Sequence, residues 1–214
     1  MKSVKEHKIE TGKHSITVQV HPGAKTKCLI LGNGAGAPFR SPFMQYFAQN
    51  VSKSGPTTIL FNFPYQEAGR KGPDQTRTLE EAYRCVVAFV RKDYGVRRLF
   101  LGGKSMGGRI AAHIGPESKA DGFVYLGYPL HPPGKTEALR DAVLYAIAEP
   151  QLFISGSKDP FCTMTLMQKV LKKCKQARLL EIPDGDHSFK VPAKSMSKEE
   201  ALGLALQGIL DFVK

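Results

Sequence analysis

The stretch LFLGGKSMGGR (Leu99–Arg109) carries two incompatible readings. Gly103-Lys104-Ser105 resembles the end of a phosphate-binding loop, and the same residues open a G-x-S-x-G that closes at Gly107. A phosphate loop requires G-x-x-x-x-G-K-[ST], whose first glycine starts the turn that wraps backbone N–H groups around phosphates. In that register the first position is Arg98, and Arg98 to Leu101 reads as strand. The phosphate reading fails. The second reading fits its surroundings. VRRLFLGG is a short apolar run led by charge, suited to a buried strand, and SMGGRIAAHI has helical character with small residues where a helix must lie close to a sheet. A serine on a sharp strand-to-helix turn is a nucleophile elbow. Gly103 and Gly107 are then needed because side chains there would collide with neighbouring backbone. Ser105 sits in a strained conformation with its hydroxyl exposed, beside the partial positive charge of a helix N-terminus.

Strands and helices alternate outward from this point. HSITVQV, TKCLILG, TTILFNF, GFVYLGY, PQLFISG and ARLLEIP read as further strands. Between and after them, PFMQYFAQNVSKSG, TEALRDAVLYAIA, TLMQKVLKKC and SKEEALGLALQGILDFVK read as helices. TLEEAYRCVVAFVRKDYG is a helix with acids first, bases last and a closing glycine. This alternation predicts an α/β fold, a doubly wound and mainly parallel sheet with helices on both faces. Such sheets place their chemistry in loops beyond the carboxyl ends of strands, where Ser105 lies.

The chain's 214 residues fit one domain over 1–214, long enough for a substantial core. No apolar run approaches the roughly 18–20 residues that span a bilayer, and MKSVKEHKIE lacks the apolar core of a secretory signal. The cytoplasm is therefore the expected location. Cys28, Cys85, Cys162 and Cys174 show no C-x-x-C or metal-ligand spacing; Cys28 and Cys85 read as buried thiols, and no disulfide is expected. A formal net charge of +12 permits contact with nucleic acid or acidic membranes. The basic residues are scattered, however, and the densest cluster, LKKCKQAR, falls at a helix end, where cations favour the dipole. No nucleic-acid signature accompanies the charge. Neither a nucleic-acid nor a membrane partner is expected, and the oligomeric state stays open.

A serine nucleophile needs a base to accept its proton and a third group to orient that base. In this topology the chain order is serine, acid, histidine. GSKDPF places Asp159 beyond the strand PQLFIS, and DGDHSF places His187 beyond ARLLEIP. His131, in the post-strand loop GYPLHPP, is the competing base; otherwise it lines the site. His113 lies on the helix after the elbow, where it packs or caps, and His7, His14 and His21 precede the serine. Asp184 and Asp186 read as turn formers. No H-E-x-x-H or comparable cluster points to a metal, and no cofactor is expected. Acyl transfer also needs donors for an oxyanion. The backbone N–H of Met106 is the first, and LGNGAGAP supplies Ala35 as the second, with Gly34 and Gly36 letting the backbone come close. The same stretch matches G-x-G-x-x-A, but Pro38 and Pro42 interrupt the helix that a dinucleotide site needs, and no acid occurs between Ala35 and Gln66. Tyr65, Tyr128, His131 and Phe161 are the candidate substrate walls.

Together NGAGAP, FNFPY, GGKSMGGR, GYPLHPPGK, SGSKDPF and DGDHSF resemble the small α/β-hydrolase-like family labelled dienelactone-hydrolase-like. Its animal relatives include a testis-expressed protein and a domain in a chromatin acetyltransferase complex subunit. The resemblance runs nearly the whole chain. It implies an α/β-hydrolase fold without a lid domain and carries a catalytic triad onto Ser105, Asp159 and His187. Where many relatives start the oxyanion loop with His-Gly, this chain has Asn33-Gly34, so Asn33 joins the candidate binding residues. True dienelactone hydrolases use a cysteine nucleophile where this chain has Ser105, so lactone hydrolysis is not inherited. The expected function is hydrolysis of small esters or thioesters; the alternative is a binding or scaffold protein on the same fold.

Overall fold

The computed structural model describes residues 3–214. Its strands are β1 (Lys5–Thr11), β2 (His14–His21), β3 (Ala24–Gly32), β4 (Pro56–Phe61), β5 (Arg98–Lys104), β6 (Gly122–Leu126), β7 (Gln151–Gly156) and β8 (Ala177–Ile182). They form one eight-stranded sheet ordered β1-β2-β4-β3-β5-β6-β7-β8. β3 to β8 pair in parallel, and β1 and β2 add an antiparallel edge. The chain runs from β3 outward to β4 and then crosses to β5 on the other side of β3. That reversal opens a crevice between the ends of β3 and β5, the usual ligand position of open α/β sheets.

The helices are α1 (Pro42–Ser54), α2 (Pro64–Glu67), α3 (Thr76–Tyr94), α4 (Met106–His113), α5 (Gly115–Ser118), α6 (Ala142–Ala146), α7 (Met164–Leu171) and α8 (Lys198–Phe212). One core layer joins α1, through Met44, Phe47 and Val51, to α8, through Ala201, Ala205 and Ile209. The layer on the opposite face joins α3, α4 and α7 through Val86, Ile110 and Met167. Both faces are thus covered, and central strands such as Phe123–Leu126 are apolar throughout because neither side meets water.

Several elements differ from the sequence reading. β1 was not expected: its residues are mostly exposed or half-buried, so it lacks an apolar run, and pairing with β2 from Lys5↔Val20 to Thr11↔His14 defines it instead. α3 starts at Thr76, so Glu80 and Glu81 fall beyond its first turn, which holds no acid. Its end behaves as expected, with Arg91 and Lys92 in the last turn and Gly95 left-handed at φ 54°. TEALRDAVLYAIA contracts to the five residues of α6. Arg140 explains the loss: its N–H donates to Leu130 O and its carbonyl accepts from the Tyr128 hydroxyl, which commits this backbone to the loop. Cys28 is buried, but Cys85 is only partly so. Among the described residues no helix is long and apolar enough to cross a membrane.

Candidate active site

β5 ends at Lys104, and Ser105 turns the chain into α4 at φ 50°, ψ −113°. A non-glycine residue in so sparsely populated a region costs on the order of 1–3 kcal/mol, which the surroundings must hold in place. They do so through Ser105 N–H to Leu126 O at 3.0 Å and Arg109 N–H to Ser105 O at 3.1 Å. The flanking glycines are steric necessities. A Cβ on Gly103 would stand 2.2 Å from Gly32 O, and one on Gly107 would stand 2.1 Å from the same oxygen. The elbow therefore presses directly on the end of β3.

The loop after β3 passes beside the serine. A Cβ on Gly34 would lie 3.7 Å from Ser105 Cβ. Asn33 organises this loop: its Nδ2 donates to Gly34 O at 2.8 Å, to Ala37 O at 3.0 Å and to Gln66 Oε1. The Tyr65 hydroxyl donates to Ala35 O at 2.9 Å, which fixes the peptide that follows Ala35. Met106 opens α4, where the first N–H groups of a helix have no internal partner.

Asp159 follows β7 and His187 follows β8. The His187 Nδ1–H donates to Asp159 Oδ2 at 2.7 Å, and the Asp159 side chain is 0% exposed. Asp159 Oδ1 accepts the Phe161 N–H at 2.8 Å, so the carboxylate is fixed on both oxygens. With Nδ1 carrying the proton toward the carboxylate, Nε2 presents a lone pair. Asp186 builds the turn under the histidine, accepting from Ser188 N–H at 2.7 Å and Lys190 N–H at 2.9 Å. Asp184 stands at φ 55° and Phe189, fully buried in the α1–α8 layer, at φ 60°. Asp159 and His187 are brought together; no hydrogen bond joins the Ser105 hydroxyl to His187 among the described residues. Such contacts often tighten only around substrate.

Of the candidate wall residues, the structure leaves Phe161 partly exposed, its ring 4.5 Å from that of His187. Asn33, Tyr65, Tyr128 and His131 are each at most 1% exposed. The Tyr128 hydroxyl donates to Arg140 O at 2.7 Å. The His131 Nδ1–H donates to Pro132 O at 2.9 Å, and its Nε2 accepts the Thr163 N–H at 3.0 Å. Both ring nitrogens of His131 are thus engaged.

Sequence reasoning missed Lys104. Its side chain is buried between the serine and histidine loops, and its ammonium donates to His187 O at 2.5 Å. Burial pulls this ammonium down from 10.5 to about 8, against the opposing pull of the Asp159 and Asp186 carboxylates. The available signal was an ionisable residue ending an apolar strand. A cavity of about 520 Å³, lined by Lys5, Val20, Lys25, Thr57 and Tyr94, opens at the other ends of the strands and is separate from this site.

The family model for the alpha/beta hydrolase domain matches residues 25–214. Solved structures share the fold. An alpha-beta serine hydrolase homologue from Coxiella burnetii is 14% identical, with 98% of this chain and 97% of that chain covered at a TM-score of 0.78. An α/β serine hydrolase without a lid, from Xanthomonas campestris, is 15% identical over 100% of this chain and 96% of that chain, also at 0.78. A dienelactone hydrolase from Anabaena variabilis is 18% identical over 99% of each chain, again at 0.78. At these identities the likeness is one of fold.

Proposed function

The chain belongs to the alpha/beta hydrolase domain family, and from that premise we propose that it is a serine hydrolase cleaving small ester or thioester substrates. The observation that carries this reading is the 2.7 Å Asp159–His187 pair, set beyond consecutive strands and on the same pole of the sheet as the strained Ser105. In the proposed reaction, Ser105 Oγ attacks the acyl carbon while its proton passes to His187 Nε2. The Met106 and Ala35 N–H groups receive the resulting oxyanion. The tetrahedral species collapses, the C–O or C–S bond breaks, and His187 returns the proton to the leaving alkoxide or thiolate. Water then attacks the acyl-enzyme by the same route, with His187 taking the water's proton and returning it to Ser105. Asp159 stabilises the imidazolium and holds the tautomer.

A small substrate is supported by the connection between β6 and β7, whose one helix, α6, has five residues and leaves no room for a lid domain. The test is a panel of acyl esters and thioesters of increasing chain length, with wild type and Ser105→Ala. Turnover should favour short acyl groups and vanish in the variant. A rate that climbs steadily beyond about ten carbons would refute the size assignment. Equal rates for the two proteins would favour a binding protein on a hydrolase fold.

A further inference from the structure

We propose that Lys104 is a positioning residue for His187, clamping the backbone of the base from the strand that carries the nucleophile. The inference rests on the proposed serine-hydrolase reading. Lys104 is the last residue of β5, one position before Ser105, and only 9% exposed. Its Nζ donates to His187 O at 2.5 Å across 83 residues of sequence. The contact is crowded: a Cβ on Gly127 would stand 3.1 Å from Lys104 Nζ, 3.0 Å from His187 O and 3.3 Å from His187 Nδ1. From α1 the Phe43 ring faces the ammonium, 5.7 Å away. No ion pair joins Lys104 to a carboxylate among the described residues.

Packing alone explains the lysine's methylenes and not its buried charge, which is costly without a partner. The bond to His187 O supplies the missing reason. Asp159 fixes the imidazole ring, and Lys104 fixes the peptide from which that ring projects. That peptide lies between Asp184 and Phe189, both at positive φ, in a turn that Asp186 ties from within and Lys104 ties to β5. A single side chain therefore couples the strand of the nucleophile to the loop of the base.

The tie is charge-assisted and hence sensitive to pH. The charged or titratable groups facing the ammonium are Asp159 after β7 and Asp186 and His187 after β8. α1 contributes only the Phe43 ring, and the loops at Gly34 and Gly127 contribute backbone. Burial outweighs the two carboxylates, so the ammonium loses its proton at about pH 8. A neutral amine is a weaker donor, and His187 should then be held less firmly.

Three proteins decide the matter: wild type, Lys104→Met and Lys104→Arg, each confirmed folded by circular dichroism and assayed on a short-chain ester from pH 6 to 10. Lys104→Met should lower kcat about 10- to 100-fold, the range expected of a misplaced catalytic group, with KM within about threefold. Wild-type kcat should fall about fivefold across pH 8, the advantage of a charged over a neutral donor. Lys104→Arg, whose guanidinium stays charged, should lose that alkaline limb and recover part of the activity. A folded Lys104→Met with wild-type kcat and an unchanged alkaline limb overturns the proposal. A second readout needs no turnover. In protein carrying 13C-labelled histidine, the His187 ring signal should show an inflection at the pH where Lys104 titrates. It should be absent from Lys104→Met. An inflection that persists in folded Lys104→Met overturns the clamp, and its absence from wild type does so even if the Met variant fails to fold. Absence of Ser105-dependent hydrolysis in wild type would instead reject the serine-hydrolase reading, while the histidine signal still decides the clamp.

Discussion

Two loops beyond the carboxyl ends of the sheet each carry a histidine and end in an aromatic or arginine anchor. After β8, the turn at Asp184–Lys190 sets the His187 ring against Asp159 with one nitrogen engaged and 20% of the side chain exposed. After β6, the segment from Gly127 to Arg140 folds its histidine inward. His131 is 1% exposed and has both nitrogens bonded, to Pro132 O on one side and to Thr163 on the other. The two imidazoles have the same tautomer, with the proton on Nδ1 facing an oxygen acceptor. They differ in what reaches Nε2, and a general base requires that nitrogen to be open to the proton it takes. Position in the chain admits both residues; the hydrogen bonds around the ring separate them.

The largest effect should come from removing the open imidazole. His187→Ala and Ser105→Ala should each cut kcat/KM by about 10⁴-fold or more, the scale on which triad members act as a unit. Steady-state assays on folded variants check this, and comparable retention in both would remove the distinction between the loops. Asp159→Asn keeps the shape but loses the charge that stabilises imidazolium; a loss of up to about 10⁴-fold is expected in kcat, with KM little changed. Asp184→Asn and Asp186→Asn should cost far less, since Asp186 accepts backbone N–H groups and Asp184 accepts the Ser195 hydroxyl.

Stability should also respond to the charge beneath the His187 loop. The Lys104 ammonium titrates at about 8 in the folded protein against an ordinary 10.5. Between those values the unfolded chain holds more protons than the folded one, so stability rises with pH and the penalty returns as pH falls through 8. A shift of this size is worth about 2–3 kcal/mol between pH 7 and 10. Denaturant unfolding of wild type and Lys104→Met at both values should show the difference moving in favour of wild type at high pH. A constant difference would mean that the ammonium is not buried.

His131→Ala should affect rate least. Removing a ring bonded on both nitrogens strands the Thr163 N–H and the Pro132 carbonyl, a loss of about 1–3 kcal/mol of stability. On folded protein kcat/KM should stay within about threefold, because both ring nitrogens are already engaged by Pro132 and Thr163. A large loss of turnover with unchanged stability would return His131 to the chemistry.

Much of the fold was legible because its signals are local. The central parallel strands are apolar on both faces, the helices carry one apolar face, and the two glycines of the elbow leave free the space beside Gly32 O that a Cβ would invade. Chain order alone pointed to Asp159 and His187, which the structure pairs at 2.7 Å. What stayed hidden depends on side-chain direction and on long-range contacts. Asn33, Tyr65, Tyr128 and His131 sit in the loops where a binding site belongs, yet their side chains bond backbone carbonyls or N–H groups of those loops. β1 carries too little apolar pattern to announce itself and exists through its register with β2. Lys104 looked like part of a phosphate loop or a mere spacer in G-x-S-x-G. Its contact with His187 spans 83 residues, and no local pattern encodes that distance.

Covalent labelling is the direct test of whether Ser105 is a nucleophile made reactive by its turn and its neighbours. The folded protein is treated with a fluorophosphonate probe, digested, and mapped by peptide mass spectrometry. One label per chain is expected, on Ser105, and none on Ser105→Ala. A label on another residue, or no label on folded wild-type protein, would contradict that reactivity.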